Sequence, residues 1–186
     1  METGTKLLTY ITRRLITVFL IIIILLMSTF IAYDCANIYV ILEEGMSMRA
    51  ESVLTDNEVS SLEHFFTQHF LSTDELLQNN KYGEYIITDY DYKIKIKKVW
   101  AWPWSTRANA TIQEIVSDIS GDMRITEDEL DELDAEDELD ENENANNGES
   151  SVPEWENGEK LVRLKKVNGR WLIDEVILER PLEKFE

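Results

Sequence analysis

The nineteen positions Leu15–Tyr33 read LITVFLIIIILLMSTFIAY, with no charged residue and hardly a polar one. At about 1.5 Å per residue a helix of this length spans roughly 28 Å, close to the hydrocarbon thickness of a bilayer. The run is apolar on every side, whereas a helix of a soluble core keeps a polar face. It is therefore expected to be a transmembrane helix. Lys6, Arg13 and Arg14 precede it and the next basic residue is Arg49. The positive-inside rule places residues 1–14 in the cytosol as a short tail and everything after Tyr33 outside the membrane. A cleaved signal peptide is the competing reading. The run is longer than the usual signal core of about 7–15 residues and no good A-x-A site follows, so an uncleaved signal anchor in the cell membrane is expected.

Beyond the span, residues 34–54 keep a helical, amphipathic pattern interrupted by one Gly45, as a stalk that continues the membrane helix. Thr55-Asp56-Asn57-Glu58 has the form of a capping box, which starts a new helix. Val59, Leu62, Phe65, Phe66 and Phe70 then recur at helical spacing and give one apolar stripe. Ser72-Thr73-Asp74-Glu75 repeats the capping pattern before a short helix, and Asn79-Asn80 is a break. From there the period becomes two. Tyr90, Tyr92, Ile94 and Ile96 alternate with Asp91, Lys93, Lys95 and Lys97, the signature of a strand with one buried face. Trp100-Ala101-Trp102-Pro103-Trp104 interrupts the strand, and proline demotes that stretch to an edge, bulge or turn. Alternation resumes from Arg107 to Ile119. The last two strand-like runs, 160–167 and 170–178, flank Asn168-Gly169, the strongest short hairpin signal because both turn residues take positive φ. Helices first and antiparallel strands afterwards indicate an α+β domain over residues 55–186, with helices on one face of a curved sheet.

Charge changes this picture in one place. The chain carries a formal charge of −19, with 37 acidic and 18 basic residues, and 17 of the acidic ones fall between Gly121 and Glu159 beside a single Arg124. The low pI belongs to that insert, and the rest of the chain is nearly neutral. Such a composition buries too little apolar surface to offset chain entropy, so residues 121–159 are expected to be disordered or at most a frayed helix. A calcium loop would use Asp140, Asn142 and Asn144, but Ala145 stands at the glycine position and Ser151 at that of the bidentate glutamate. No metal or other cofactor is expected. Nucleic acid is disfavoured as a partner because it needs a basic patch; Lys93, Lys95, Lys97 and Lys98 read instead as one solvated sheet face. Cys35, the lone cysteine, follows Asp34 and makes a poor lipid-attachment site; one cysteine supports an intermolecular disulfide at most. Asn109-Ala110-Thr111 matches the glycosylation sequon. His64 and His69, five apart, do not share a helix face.

The run VRLKKVNGRWLIDEVIL resembles the last hairpin of the nuclear transport factor 2-like superfamily, through Val167, Asn168, Gly169, Arg170, Trp171, Ile173 and Asp174. The aromatic stripe from Leu62 to Phe70 is similar to the opening helix of such domains. The likeness covers roughly residues 55–178 without the acidic insert. The opening helical region here is short, and the long acidic loop departs from the pattern. The resemblance implies a cone-like domain of helices packed on a curved antiparallel sheet, with a pocket that some members use for ligands, a few for isomerase or dehydratase chemistry, and others not at all. Pocket candidates are Phe66, Tyr90, Tyr92, Glu114 and Trp171. Glu114 stands in the apolar phase between Ile112 and Val116, a candidate buried base, although a glutamate at an edge or paired with a lysine is the commoner case. Asp89 and Asp91 fall on the face opposite Tyr90 and Tyr92. Trp100, Trp102 and Trp104 with Arg107 are interaction candidates, because tryptophan is enriched both in interface hot spots and at membrane interfaces; the same rings could instead cap the core where the sheet bends.

No catalytic residue stands out, and the expected function is a non-catalytic interaction or scaffold module on a single-pass anchor. Its expected partners are the bilayer, through Leu15–Tyr33, and either a protein of a membrane complex or a second copy. The layout resembles assembly components of bacterial secretion, conjugation or sporulation machinery. The alternative is a small-ligand sensor or carrier that uses the pocket, and third an isomerase- or dehydratase-type enzyme.

Overall fold

A computed structural model of the chain describes residues 2–55, 59–79, 81–124 and 152–185. The chain opens with one helix, α1 (Glu2–Thr55), 54 residues long. Its apolar part is long enough to cross a bilayer: the best eighteen-residue stretch has a mean hydropathy of 3.0 and none of it is buried within the protein. One candidate single-pass membrane anchor is thus present. The helix runs without a break into the segment expected as a stalk, and the stalk is part of the domain. Ile38, Leu42, Met46, Ala50 and Leu54, each four residues from the last, are all at most 2% exposed. A spacing of four drifts by about 40° per step around a helix of 3.6 residues per turn. The buried line therefore winds from one apolar cluster, with Phe66, Phe70, Ile112, Val162, Trp171 and Ile173, into a second with Tyr82, Val116 and Trp155. A domain boundary at residue 55 cuts through this core.

Four strands form an antiparallel meander: β1 (Tyr85–Ala101), β2 (Arg107–Met123), β3 (Gly158–Val167) and β4 (Arg170–Pro181), in the order β1-β2-β3-β4. The fold is α+β, as the segregated pattern predicts, but the sheet is open and does not close into a cone. Asn168 and Gly169 both have positive φ and make the predicted β3–β4 turn. Across β1 and β2, Asp91 faces Ser117 and Asp89 faces Ser120, so two residues of β2 stand opposite one of β1. Asp118, at φ 54°, takes the left-handed conformation in this bulge, which bends the sheet around α1.

The expected aromatic helix from Leu62 to Phe70 is broken. Val59–His64 is a 3-10 turn, and Phe66 forms a parallel bridge to Ile173 of β4. The Phe65 carbonyl accepts from Ile173 N–H at 2.8 Å and Thr67 N–H donates to the Ile173 carbonyl at 2.9 Å. An edge strand with unpaired peptide groups outcompetes a short helix for them. Helix α2 (Gln68–Thr73) starts only afterwards, with the Thr67 hydroxyl accepting from Phe70 N–H at 3.2 Å as its N-cap. Asp74 caps α3 (Glu75–Gln78) without a side-chain bond, so the second capping pattern is present in sequence and unused. Three of the four residues of the first, Asp56, Asn57 and Glu58, lie outside the described residues.

The acidic segment is narrower than its composition suggests. Gly121–Met123 belongs to β2, Trp155 is 4% exposed, and Gly158 opens β3. The candidate calcium ligands Asp140, Asn142 and Asn144, with Ala145 and Ser151, lie outside the described residues.

Two substitutions test the role of α1. Leu42→Ala should destabilise the domain by about 2–5 kcal/mol through the cavity it leaves, while Glu43→Ala, on the exposed side, should change stability by less than about 0.5 kcal/mol. Urea unfolding of the full chain in detergent micelles, followed by tryptophan emission, measures both. Gly45→Val should also destabilise, because even a Cβ there would stand 2.9 Å from the Phe65 Cβ.

Candidate functional site

The inward phase of β2 carries Glu114 beneath α1, and the structure surrounds it with donors. The Lys160 ammonium of β3 donates to its Oε2 at 2.5 Å, the Trp155 indole N–H to the same oxygen at 3.4 Å, and the Tyr92 hydroxyl to Oε1 at 3.3 Å. Glu114 is fully buried and the Lys160 side chain is 3% exposed. Beside this pair, Arg49 of α1 forks onto Asp74, with Nε to Oδ2 at 2.6 Å and Nη2 to Oδ1 at 2.9 Å. Trp155 is within reach of both cations: the Arg49 guanidinium is 5.8 Å and the Lys160 ammonium 5.9 Å from its ring centre. Two positive and two negative groups are thus buried together and balanced, which is how an interior accommodates charge. Among the described residues, Arg49 Nη1 and the Tyr82 hydroxyl have no hydrogen-bond partner.

Burial raises the tyrosines around this cluster. Tyr82 is pushed up to about 12 by desolvation. Tyr92 is raised further, by burial first and then by the charge and hydrogen bond of Glu114. Tyr90 is raised by burial and by the charge of Glu51. These hydroxyls stay protonated, as donors. Glu114 has its oxygens engaged by three donors, an arrangement that fixes a strand to a loop and leaves little for proton abstraction.

An open groove of about 690 Å³ lies outside this cluster, between α2–α3 and β4. Arg49, Phe70, Asp74, Lys160, Asp174 and Val176 are among the residues that line it. The pocket candidates do not. Phe66, Glu114 and Trp171 are buried at 0–2% exposure, and Tyr90 and Tyr92 pack against the core from β1. Phe66 stacks on Phe70 at 4.5 Å between ring centres. Glu114 and Tyr92 are brought together, Phe66 and Trp171 share one apolar cluster, and Tyr90 belongs to the other.

The interaction candidates gather at one end of the sheet. Trp100, Trp102 and Trp104 are 60%, 48% and 68% exposed, so they do not cap the core. Their rings pack on one another, with centres 6.2 Å and 5.8 Å apart. Pro103 lies in the β1–β2 turn, where Ser105 N–H closes onto the Trp102 carbonyl at 2.9 Å. Arg107 opens β2 and is exposed. The β3–β4 turn lies at the same end, and there Asp34 of α1 ties the hairpin down: its Oδ1 accepts from the Trp171 indole at 3.0 Å and from Lys166 at 2.9 Å. His64, His69 and Asn109 are exposed, and Cys35 is a half-buried free thiol. Among the described residues no group of three or more His, Cys, Asp or Glu is arranged to hold a metal.

Sequence reasoning missed Asp34, Arg49, Asp74, Trp155 and Lys160. For two of them a signal existed. Asp34 is four residues before Ile38 and heads the buried line of α1, and Trp155 is an aromatic ring in an otherwise acidic, polar stretch. Arg49, Asp74 and Lys160 read as ordinary surface charges because their partners are remote in sequence.

Lys160→Met should cost about 3–5 kcal/mol, because it leaves the Glu114 carboxylate buried and uncompensated, and Lys160→Met with Glu114→Gln should recover part of that loss. Urea unfolding of the single and double variants measures the coupling. Stability should also fall as pH rises from about 10 towards 12, since the unfolded chain loses tyrosine protons that the folded chain still holds. Tyr82→Phe should lessen that alkaline loss while leaving stability at pH 7 unchanged or slightly higher, because its hydroxyl has no hydrogen-bond partner among the described residues. Thermal unfolding in detergent across this pH range reads both effects.

No protein-family model, curated protein or solved structure matches the chain.

Proposed function

We propose that the protein is a single-pass membrane protein whose outer domain is a non-catalytic docking module, a scaffold part of a larger membrane assembly of the secretion, conjugation or sporulation kind. The observation that carries this reading is the double use of α1. The helix that holds the candidate membrane span also supplies the central line of the domain core, from Ile38 to Leu54. Anchor and domain are one body, with no hinge between them, so whatever docks on the domain is held at a fixed height and orientation above the bilayer. A balanced charge cluster in the interior suits a part selected for rigidity. The resemblance to nuclear transport factor 2-like domains belongs to this reading and rests on the β3–β4 hairpin. The orientation follows from Lys6, Arg13 and Arg14 before the span.

The groove supports a second reading, a small-ligand carrier or sensor, because its volume falls within the range of about 300–1,000 Å³ common to ligand sites. A photo-crosslinking amino acid at Glu75 or Glu156, both exposed at the groove, separates the two in intact cells. One discrete adduct with a membrane protein or a second copy is expected for a scaffold. Absence of any adduct, together with a melting temperature that rises with one metabolite class, would transfer the groove to the ligand reading. Topology is checked by Glu183→Cys in a Cys35→Ala background: a membrane-impermeant maleimide added to intact cells should label it.

A further inference from the structure

We infer that the two hairpin tips form a second membrane contact, in which Trp100, Trp102 and Trp104 insert at the surface of the bilayer that α1 crosses and the basic residues around them bind anionic lipid headgroups. The inference rests on the reading of residues 15–33 as a membrane span. Four observations lead to it.

The first is height. Asp34 is the residue directly after the apolar run, and the headgroup layer is about 5–8 Å deep, or four to five helical residues. Asp34 holds Lys166 and Trp171, and Lys166 N–H bonds the Thr106 carbonyl at 2.8 Å. The β1–β2 turn is therefore fixed at headgroup level.

The second is direction. Ala108 and Ala110 pack in the cluster with Ile38, while Val116 packs in the one with Ala50 and Leu54. Travelling back along β2 from Val116 to Arg107 thus leads down α1 towards the membrane, and residues 102–106 extend beyond that.

The third is exposure. Three large rings stand 48–68% exposed at the end of β1 and in the turn after it. A notch of about 480 Å³ lies between α1 and β1 directly after the span, lined by Cys35, Tyr39, Ile96, Lys97, Lys98 and Val99. Amphipathic indoles favour this depth, with the ring among acyl chains and the N–H in the headgroups.

The fourth is charge. Residues 95–107 and 163–172 contain eight basic and no acidic residues, in a chain of net charge −19; two of the eight are paired within the domain, Lys166 with Asp34 and Arg163 with Glu175. Arg107 and Lys165 face each other directly across β2 and β3. Like charges in that position repel, and an anionic surface relieves the repulsion. The acidic stretch is attached at the other end, where its flank Val152 packs with Leu54 and Tyr82. The basic segments thus sit at the end of α1 next to the span, and both described flanks of the acidic stretch, Arg124 beside Glu84 and Val152 beside Leu54, sit at the other.

The test uses the full chain reconstituted in vesicles of phosphatidylcholine with 30% phosphatidylglycerol, with bromine on the acyl chains as a short-range quencher of tryptophan emission. Trp155 and Trp171 are buried in the domain and serve as an internal reference for folding. Bromolipid is expected to quench a large part of the emission, and most of that quenching should disappear in Trp100→Ser/Trp102→Ser/Trp104→Ser. It should also weaken by several fold in pure phosphatidylcholine, in high salt, and in Arg107→Gln/Lys165→Gln/Arg170→Gln. Quenching equal in the wild type and the triple-Trp variant, with the chain still floating with the vesicles, overturns the inference and leaves the anchor reading intact. Protection of the three rings that grows with protein-to-lipid ratio also overturns it, in favour of contact between copies. A chain that does not float with the vesicles overturns the anchor reading itself.

Discussion

The structure depends on one line of side chains: positions 34, 38, 42, 46, 50 and 54 of α1. Five of them are apolar and buried, and the first is an aspartate. The apolar five give the sheet a surface to bury, and without it the inward residues of β1–β4 would face water, since the short helices cover only part of one face. The aspartate closes the line directly after the apolar run, by accepting from an indole and an ammonium of the β3–β4 hairpin. The domain is thus built onto the helix that carries the candidate span, and the geometry of the rest follows from that helix.

Polar burial reinforces the same axis. Arg49, from the helix, reaches Asp74 between the short helices, and Glu114, from the middle of β2, reaches Lys160 of β3. Trp155 is within reach of both cations and links the return of the acidic segment to both. Arg49–Asp74 ties α1 to the α2–α3 junction and Lys160–Glu114 ties β3 to β2, and neither bond tolerates much displacement, because a buried charge left without its partner is costly. Two surfaces of this body differ in chemistry: a mixed-charge groove on the side, and a basic, tryptophan-bearing rim at the end nearest the candidate span.

The strands were legible because their signal is local. Alternation from Tyr90 to Lys97 and the Asn168-Gly169 turn each specify their own backbone. The segment from Leu62 to Phe70 carried an equally local helical signal, which a non-local partner overrode: the free edge of β4 took the peptide groups of Phe65 and Thr67. Glu114 was legible as a buried carboxylate, from its phase within β2. That it would pair with a lysine was one open reading, but its partners could not be named, because Tyr92, Trp155 and Lys160 come to it from 22, 41 and 46 residues away.

The sequence by itself determined the membrane-length apolar helix, the α+β order, the β3–β4 turn and the separation of an acidic stretch from a nearly neutral domain. Each follows from composition or periodicity over a few turns or strands, and neither needs a distant partner. Only the tertiary structure decided that the stalk is the core, that the sheet stays open, which charges are buried in pairs, and that three tryptophans and a set of basic residues share the end of the domain nearest the span. Those outcomes depend on which faces meet, and the register of β1–β4 against α1 is settled by the packing of all of them together.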